Sequence, residues 1–237
     1  MTKKEKLKEL FKTELKFLFF QDVKPNLKEM GNYYLIFALL TTWLAGVGRY
    51  WDNPRADLWQ YLGLGSVIYI FVLALLLWAI IKPLKPENWS YKNVLIFVGM
   101  TSPTGILYAI PVERYFSLST SQTMNVWFLA VVATWRVILL FLYLKRVAKL
   151  SGLAIVVATL LPIVITITGL TMLNLEHVVF KLMAGLAEHE RSANDAAYSI
   201  LILLTTLSVM LSPVLMIAYL VIGYQKAKTA DKTEHSL

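Results

Sequence analysis

The sequence predicts an all-α fold: a polytopic integral membrane bundle of six transmembrane helices, with an N-terminal amphipathic interfacial helix. Three observations predict it. Of 237 residues, 57% are hydrophobic and 16% charged, and mean hydropathy is +0.60; soluble domains hold an apolar share of about 45 to 50%. Six apolar runs occupy more than half the chain, most of them long enough to cross a bilayer. Lysine and arginine alternate in density from one connection to the next, as in a chain that crosses a membrane repeatedly.

Residues 1–30 form a basic amphipathic cytoplasmic segment. Lys3, Lys4, Lys6, Lys8, Lys12 and Lys16 are interspersed with Leu7, Leu10, Phe11, Leu15 and Leu18 at helical spacing, which gives one apolar face. Such a helix lies in the membrane plane with its lysines toward anionic headgroups; docking on a partner and a solvated tail are the alternatives. Pro25 ends it. The membrane domain, 31–225, holds the six spans, about 33–48, 58–81, 94–112, 124–144, 153–173 and 198–224, and residues 226–237 are a cytoplasmic tail. Seventeen Lys and Arg residues fall on one side: eight before the first span, and three each in the 82–92 loop, the 145–152 loop and the C-terminal tail. Five fall on the other: Arg49, Arg55, Arg114, Lys181 and Arg191. The split places both termini in the cytoplasm. Trp51, Trp59 and Trp127 then lie at outer ends and Trp89, Tyr143 and Tyr224 at inner ends, the depth aromatic rings prefer.

The net charge of +8 points to anionic lipid rather than nucleic acid, because the cations flank hydrophobic spans instead of lining a groove. A protein partner or a second copy of the chain is the other contact the surface allows. With no cysteine there is no disulfide and no thiolate metal site, and no cofactor motif is present. Neither a nucleophile elbow, nor a phosphate loop, nor a pair of intramembrane carboxylates appears, which argues against an enzyme. Glu176-His177 and Glu188-His189 can hold a divalent metal only if the fold brings them together; their spacing fits a solvated amphipathic helix better.

One polar focus stands out. Arg136 is the only formal charge in the fourth span, and a guanidinium at mid-depth costs roughly 2.5 to 3.5 kcal/mol on insertion scales. In the third span Thr101, Ser102, Pro103, Thr104 and Gly105 interrupt the apolar run. Pro103 cannot donate to the Gly99 carbonyl, which must find another partner. Gly99 lies about 9 Å and Arg136 about 12 Å above the inner ends of their helices, so the two depths match. The guanidinium is therefore expected to face Gly99, Thr101, Ser102 or Thr104; snorkelling to the inner headgroups is the alternative, against the lean of helical side chains. Pro162 and Pro213 sit near the centres of the fifth and sixth spans, so a central site shared by three broken helices is a further expectation.

Thr101-Ser102-Pro103, Pro111, Trp135 in a helix ending Leu144-Lys145, and Ser151-Gly152 leading to Pro162 give residues 62–162 a layout that resembles the bacterial members of the Ypt-interacting (YIP) family of membrane proteins. The resemblance implies a helical bundle in the inner (plasma) membrane that acts through partners in membrane organisation or trafficking. The chain differs from that pattern in its six spans, where the family usually has five, and in its very short N-terminal tail. No functional residue is carried over. Two functions follow. A non-enzymatic scaffold or partner-binding protein requires a dry bundle and is favoured by spans without acidic residues or repeated halves. A small transporter or channel for an anionic or polar solute requires a polar cavity reaching Arg136.

Overall fold

Thr2 and Glu5 start the first helix by exchanging side-chain and backbone bonds: the Glu5 N–H donates to Thr2 Oγ1 at 3.3 Å and the Thr2 N–H to Glu5 Oε2 at 2.7 Å. This helix, α1 (Lys3–Leu18), stops where Phe20 turns left-handed at φ 62. Asn26 then caps α2 (Leu27–Tyr50), its Oδ1 accepting from the Glu29 N–H at 3.3 Å. In the computed structural model, which describes residues 2–23, 25–51, 57–173 and 195–234, the chain continues as α3 (Leu58–Tyr61), α4 (Leu64–Ile81), α5 (Tyr91–Met100), α6 (Val112–Tyr115), α7 (Leu118–Arg146), α8 (Gly152–Met172) and α9 (Asp195–Glu234). The fold is all-helical, with no strand among the described residues.

Among the described residues five stretches are long and apolar enough to cross a membrane: Leu27–Tyr50, Leu64–Leu84, Thr123–Arg146, Gly152–Met172 and Ile202–Thr229. The third expected span is not among them because it is not one α-helix. α5 ends at Met100, and Ser102–Ala109 continues as a 3-10 helix with Pro103 in its first turn. Such runs rarely exceed three or four residues, and a long one replacing α-helix commonly marks a hinge. Proline is the local cause, since it removes a backbone donor. By contrast Pro162 and Pro213 lie inside continuous helices. The expected tail after residue 225 is also helical, because α9 runs on to Glu234. The Glu-His pairs lie outside the described residues.

Small side chains determine how α2 meets its neighbours. Tyr34, Ala38, Thr42 and Gly46, four residues apart, are buried along one stripe of α2. A Cβ added at Gly99 would lie 2.5 Å from the Ala38 Cβ, so this glycine exists to let α5 approach α2. The largest core cluster joins α4, α5, α7 and α8 through Ile81, Leu95, Phe97, Leu139, Leu144 and Ile155.

One end of the bundle gathers the cations. Lys92 Nζ donates to Asn32 Oδ1 at 2.7 Å, Lys149 pairs with Glu87 at 2.7 Å, and Lys226 Nζ donates to the Leu84 carbonyl at 2.6 Å. There Arg146 also holds the α1–α2 connection, donating from Nη1 to the Phe20 and Gln21 carbonyls at 2.9 and 2.8 Å. Hydrogen bonds from a charged donor contribute about 1.5 to 3 kcal/mol. Arg146→Gln is therefore expected to loosen α1, and trypsin should then cut its lysines several times faster than in the native chain. Equal cutting rates would show that the apolar contacts of α1 hold it unaided.

Candidate functional site

Arg136 points into the protein. Its Nε is buried and has no hydrogen-bond partner among the described residues. It lines a cavity of about 260 Å³ with Thr42, Ala45, Arg49 and Tyr50 of α2, Trp59 and Gln60 of α3, Ser66, Tyr69 and Ile70 of α4, and Ser102, Gly105 and Tyr108 of the 3-10 helix. These residues belong to the C-terminal half of α2 and the N-terminal part of α4, so the cavity lies toward the end opposite the lysine cluster. A cavity of roughly 150 Å³ already accommodates a benzene ring.

Each wall has a local reason. Gly63, left-handed at φ 67, turns α3 into α4 and lets α4 cross α2 beside Gly46. That close crossing brings Ser66 and Tyr69 next to Thr42 and Arg49. Thr42 Oγ1 donates to the Ala38 carbonyl at 2.7 Å and lies 2.6 Å from Ser102 Oγ, so Ser102 is the donor between the two hydroxyls. This buried pair ties the 3-10 helix to α2. Trp51 Nε1, donating to the Ala109 carbonyl at 3.0 Å, ties its far end. Arg49 is stacked, its Cζ 5.4 Å from the Tyr50 ring and 5.2 Å from the Tyr108 ring.

The expected focus is partly assembled here. Ser102 and Arg136 share the cavity wall. Gly99 does not, because it packs on Ala38, and Arg136 makes no hydrogen bond to its carbonyl. Thr101 Oγ1 donates to the Val98 carbonyl at 2.6 Å and Thr104 Oγ1 to the Thr101 carbonyl at 2.8 Å, so both hydroxyls are committed to backbone carbonyls beside the break. No described residue of α8 or α9 lines the cavity, and Pro103 does not line it either, so the cavity is not a site shared by the three prolines. Arg49 and Tyr108 are the functional residues that sequence reasoning missed. The signal for Arg49 was its spacing from Thr42, seven residues on along the buried stripe of α2.

Chemically, two guanidinium groups, three hydroxyl-bearing aliphatic side chains and three phenol rings face one space, and none of the described residues lining it is acidic. Such a lining suits an anion, which Arg can grip through paired N–H groups and the hydroxyls can orient. Among the described residues no three His, Asp or Glu side chains converge as a metal site. Fold and site together define an all-helical chain that has, among its described residues, five helices of membrane-crossing length and a cavity lined by two arginines. No protein family, curated protein or solved structure matches it.

Proposed function

We propose that this chain is an integral membrane protein that takes a small anion into the Arg49–Arg136 cavity and acts as a transporter for it. One observation carries the reading: the described residues that line a cavity of about 260 Å³ include two arginines and no carboxylate. Arg136, whose buried Nε has no partner among the described residues, is the kind of intramembrane charge that marks a substrate or ion pathway. The scaffold alternative requires a dry bundle, and the cavity weighs against it.

The topology that goes with this reading has six crossings. α5 rises about 15 Å over 10 residues and the 3-10 helix about 16 Å over 8, together close to a bilayer core of about 30 Å. The segment begins beside Asn32, near the start of α2, and ends beside Trp51, at its other end. Six crossings put both termini on the lysine-rich side, which is cytoplasmic by the positive-inside rule, and the cavity toward the exterior. The exposed lysines of α1, Lys3, Lys4, Lys8, Lys12 and Lys16, then meet anionic headgroups.

The test uses the full chain in vesicles with labelled phosphate, sulfate and acetate. Saturable uptake of at least one anion is expected. A Cβ at Gly105 would stand 3.5 Å from Ala45, 3.6 Å from Tyr108 and 3.7 Å from Arg136 Nη2, which are ordinary contacts, so a longer side chain there extends into the cavity. Gly105→Leu should therefore reduce uptake at least tenfold without loss of folded protein. Uptake no greater than in protein-free vesicles for all three anions would refute the reading.

A further inference from the structure

An acidic group sits where a membrane bundle has least use for one. Glu14 of α1 is 3% exposed, and both of its carboxyl oxygens are buried without a hydrogen-bond partner among the described residues. It belongs to the face of α1 that packs on the bundle: Leu10 joins Met30 and Tyr34 of α2 and Ile96 and Met100 of α5, while Phe17 meets the Phe97 ring edge-on at 6.0 Å. The C-terminal end of α1 is latched to α7, where Trp135 Nε1 donates to the Leu18 carbonyl at 2.8 Å.

Among the described residues the surroundings offer the carboxylate no cation. α2 presents Tyr34, which also faces Thr13; α5 presents Ile96, Phe97 and Met100, none of which titrates. α7 presents Trp135 and Arg146, and the latter is committed to the Phe20 and Gln21 carbonyls and to Asp22 at 3.7 Å. On α1 itself Glu9 adds negative charge, and Lys6 lies over the Tyr33 ring at 5.0 Å. An ionised carboxylate buried without a partner is strongly disfavoured, whereas a protonated one is tolerated.

We propose that Glu14 is a proton-binding site: protonated, it holds α1 against the bundle, and ionised, it releases α1 into the headgroup layer. The inference does not depend on the anion reading of the cavity. Released, α1 keeps a place at the membrane surface, because Leu7, Phe11 and Leu15 form an exposed apolar ridge beside its lysines.

Burial raises the carboxyl from 4.5 to about 8 in the docked state. The docked pKa exceeds the free one, so docking is fully supported below pH 4.5 and loses a factor of ten per unit as pH rises to about 8. Above that it levels off, weaker by on the order of a thousandfold.

The chain has no cysteine, so spin labels can be placed through Lys12→Cys and Lys145→Cys in the full protein in bilayers. A single short distance is expected at pH 5, with a longer population growing up to pH 9. In Glu14→Gln the short distance should persist throughout; Glu14→Leu serves if the glutamine variant does not fold. A distance distribution independent of pH in the native chain, or the same growth in the variants, would overturn the proposal. So would absence, at pH 7, of a protonated-carboxyl infrared band that Glu14→Gln removes.

Discussion

Replacing Arg136 by leucine is expected to abolish anion uptake while leaving the folded protein at or above its native level. The guanidinium is half-buried, its Nε lacks a partner, and no described residue lining the cavity is acidic. Removing it breaks no internal ion pair and relieves a burial cost of roughly 2.5 to 3.5 kcal/mol on insertion scales. Replacing buried charge by apolar volume is often neutral or stabilising when no partner is stranded. Ligand binding behaves oppositely. A hydrogen bond to a charged group is worth about 1.5 to 3 kcal/mol, which amounts to roughly a 10- to 150-fold loss of affinity. Arg136→Lys keeps the charge but loses the planar fork, so an intermediate loss is expected. The decisive comparison is anion affinity against melting temperature in the same preparation. Unchanged affinity with a large drop in melting temperature would make Arg136 an architectural pin instead.

Much of this was legible in the sequence, and the misses have physical causes. Hydropathy located the helices of the five membrane-length stretches because the bilayer demands length and apolarity of each segment independently of its neighbours. The break at Thr101–Pro103 and the inward Arg136 were also legible, since proline and a lone charge in an apolar run each carry a fixed penalty. What the two residues do with each other was not. Matching depth suggested Gly99 as the partner of Arg136, but depth says nothing about rotation about the helix axis, and Gly99 faces Ala38. Arg49 reads as part of the outer connection because helix ends blur; α2 extends to Tyr50, and the arginine turns back over the cavity. Glu14 lies outside the spans, on a helix that reads from its lysines as solvated, so its burial is not apparent from hydropathy. Its spacing from Leu10 and Phe17, four and three residues away, already placed it on the packing face of α1.

The largest loss of stability is expected from Gly63→Val, with failure to accumulate folded protein at ordinary growth temperature. Gly63 is left-handed at φ 67, a conformation that costs a residue with a Cβ roughly 1 to 2 kcal/mol, and more when that carbon is branched. Space is lacking as well. An added Cβ would lie 2.7 Å from the Trp43 carbonyl oxygen and 2.9 Å from the Val47 nitrogen, both backbone atoms of α2 that move only with the helix. Overpacking of this kind adds about 1 to 3 kcal/mol, so the sum is a large share of the about 5 to 15 kcal/mol that holds a typical domain together. The reciprocal position behaves alike: a Cβ at Gly46 would lie 2.9 Å from the Gly63 carbonyl oxygen and 2.7 Å from Ser66 Oγ. Gly169→Ala and Gly223→Ala, where nothing lies within 4 Å of the new carbon, serve as controls and should melt within a degree or two of the native chain. Because Gly63 and Ser66 also line the cavity, Gly63→Val should lose anion binding together with its melting transition. Arg136→Leu should lose binding alone. That contrast separates residues that build the cavity wall from one that gives it charge, and a Gly63→Val protein that melts like the native chain would mean that α2 and α4 do not cross as closely as described.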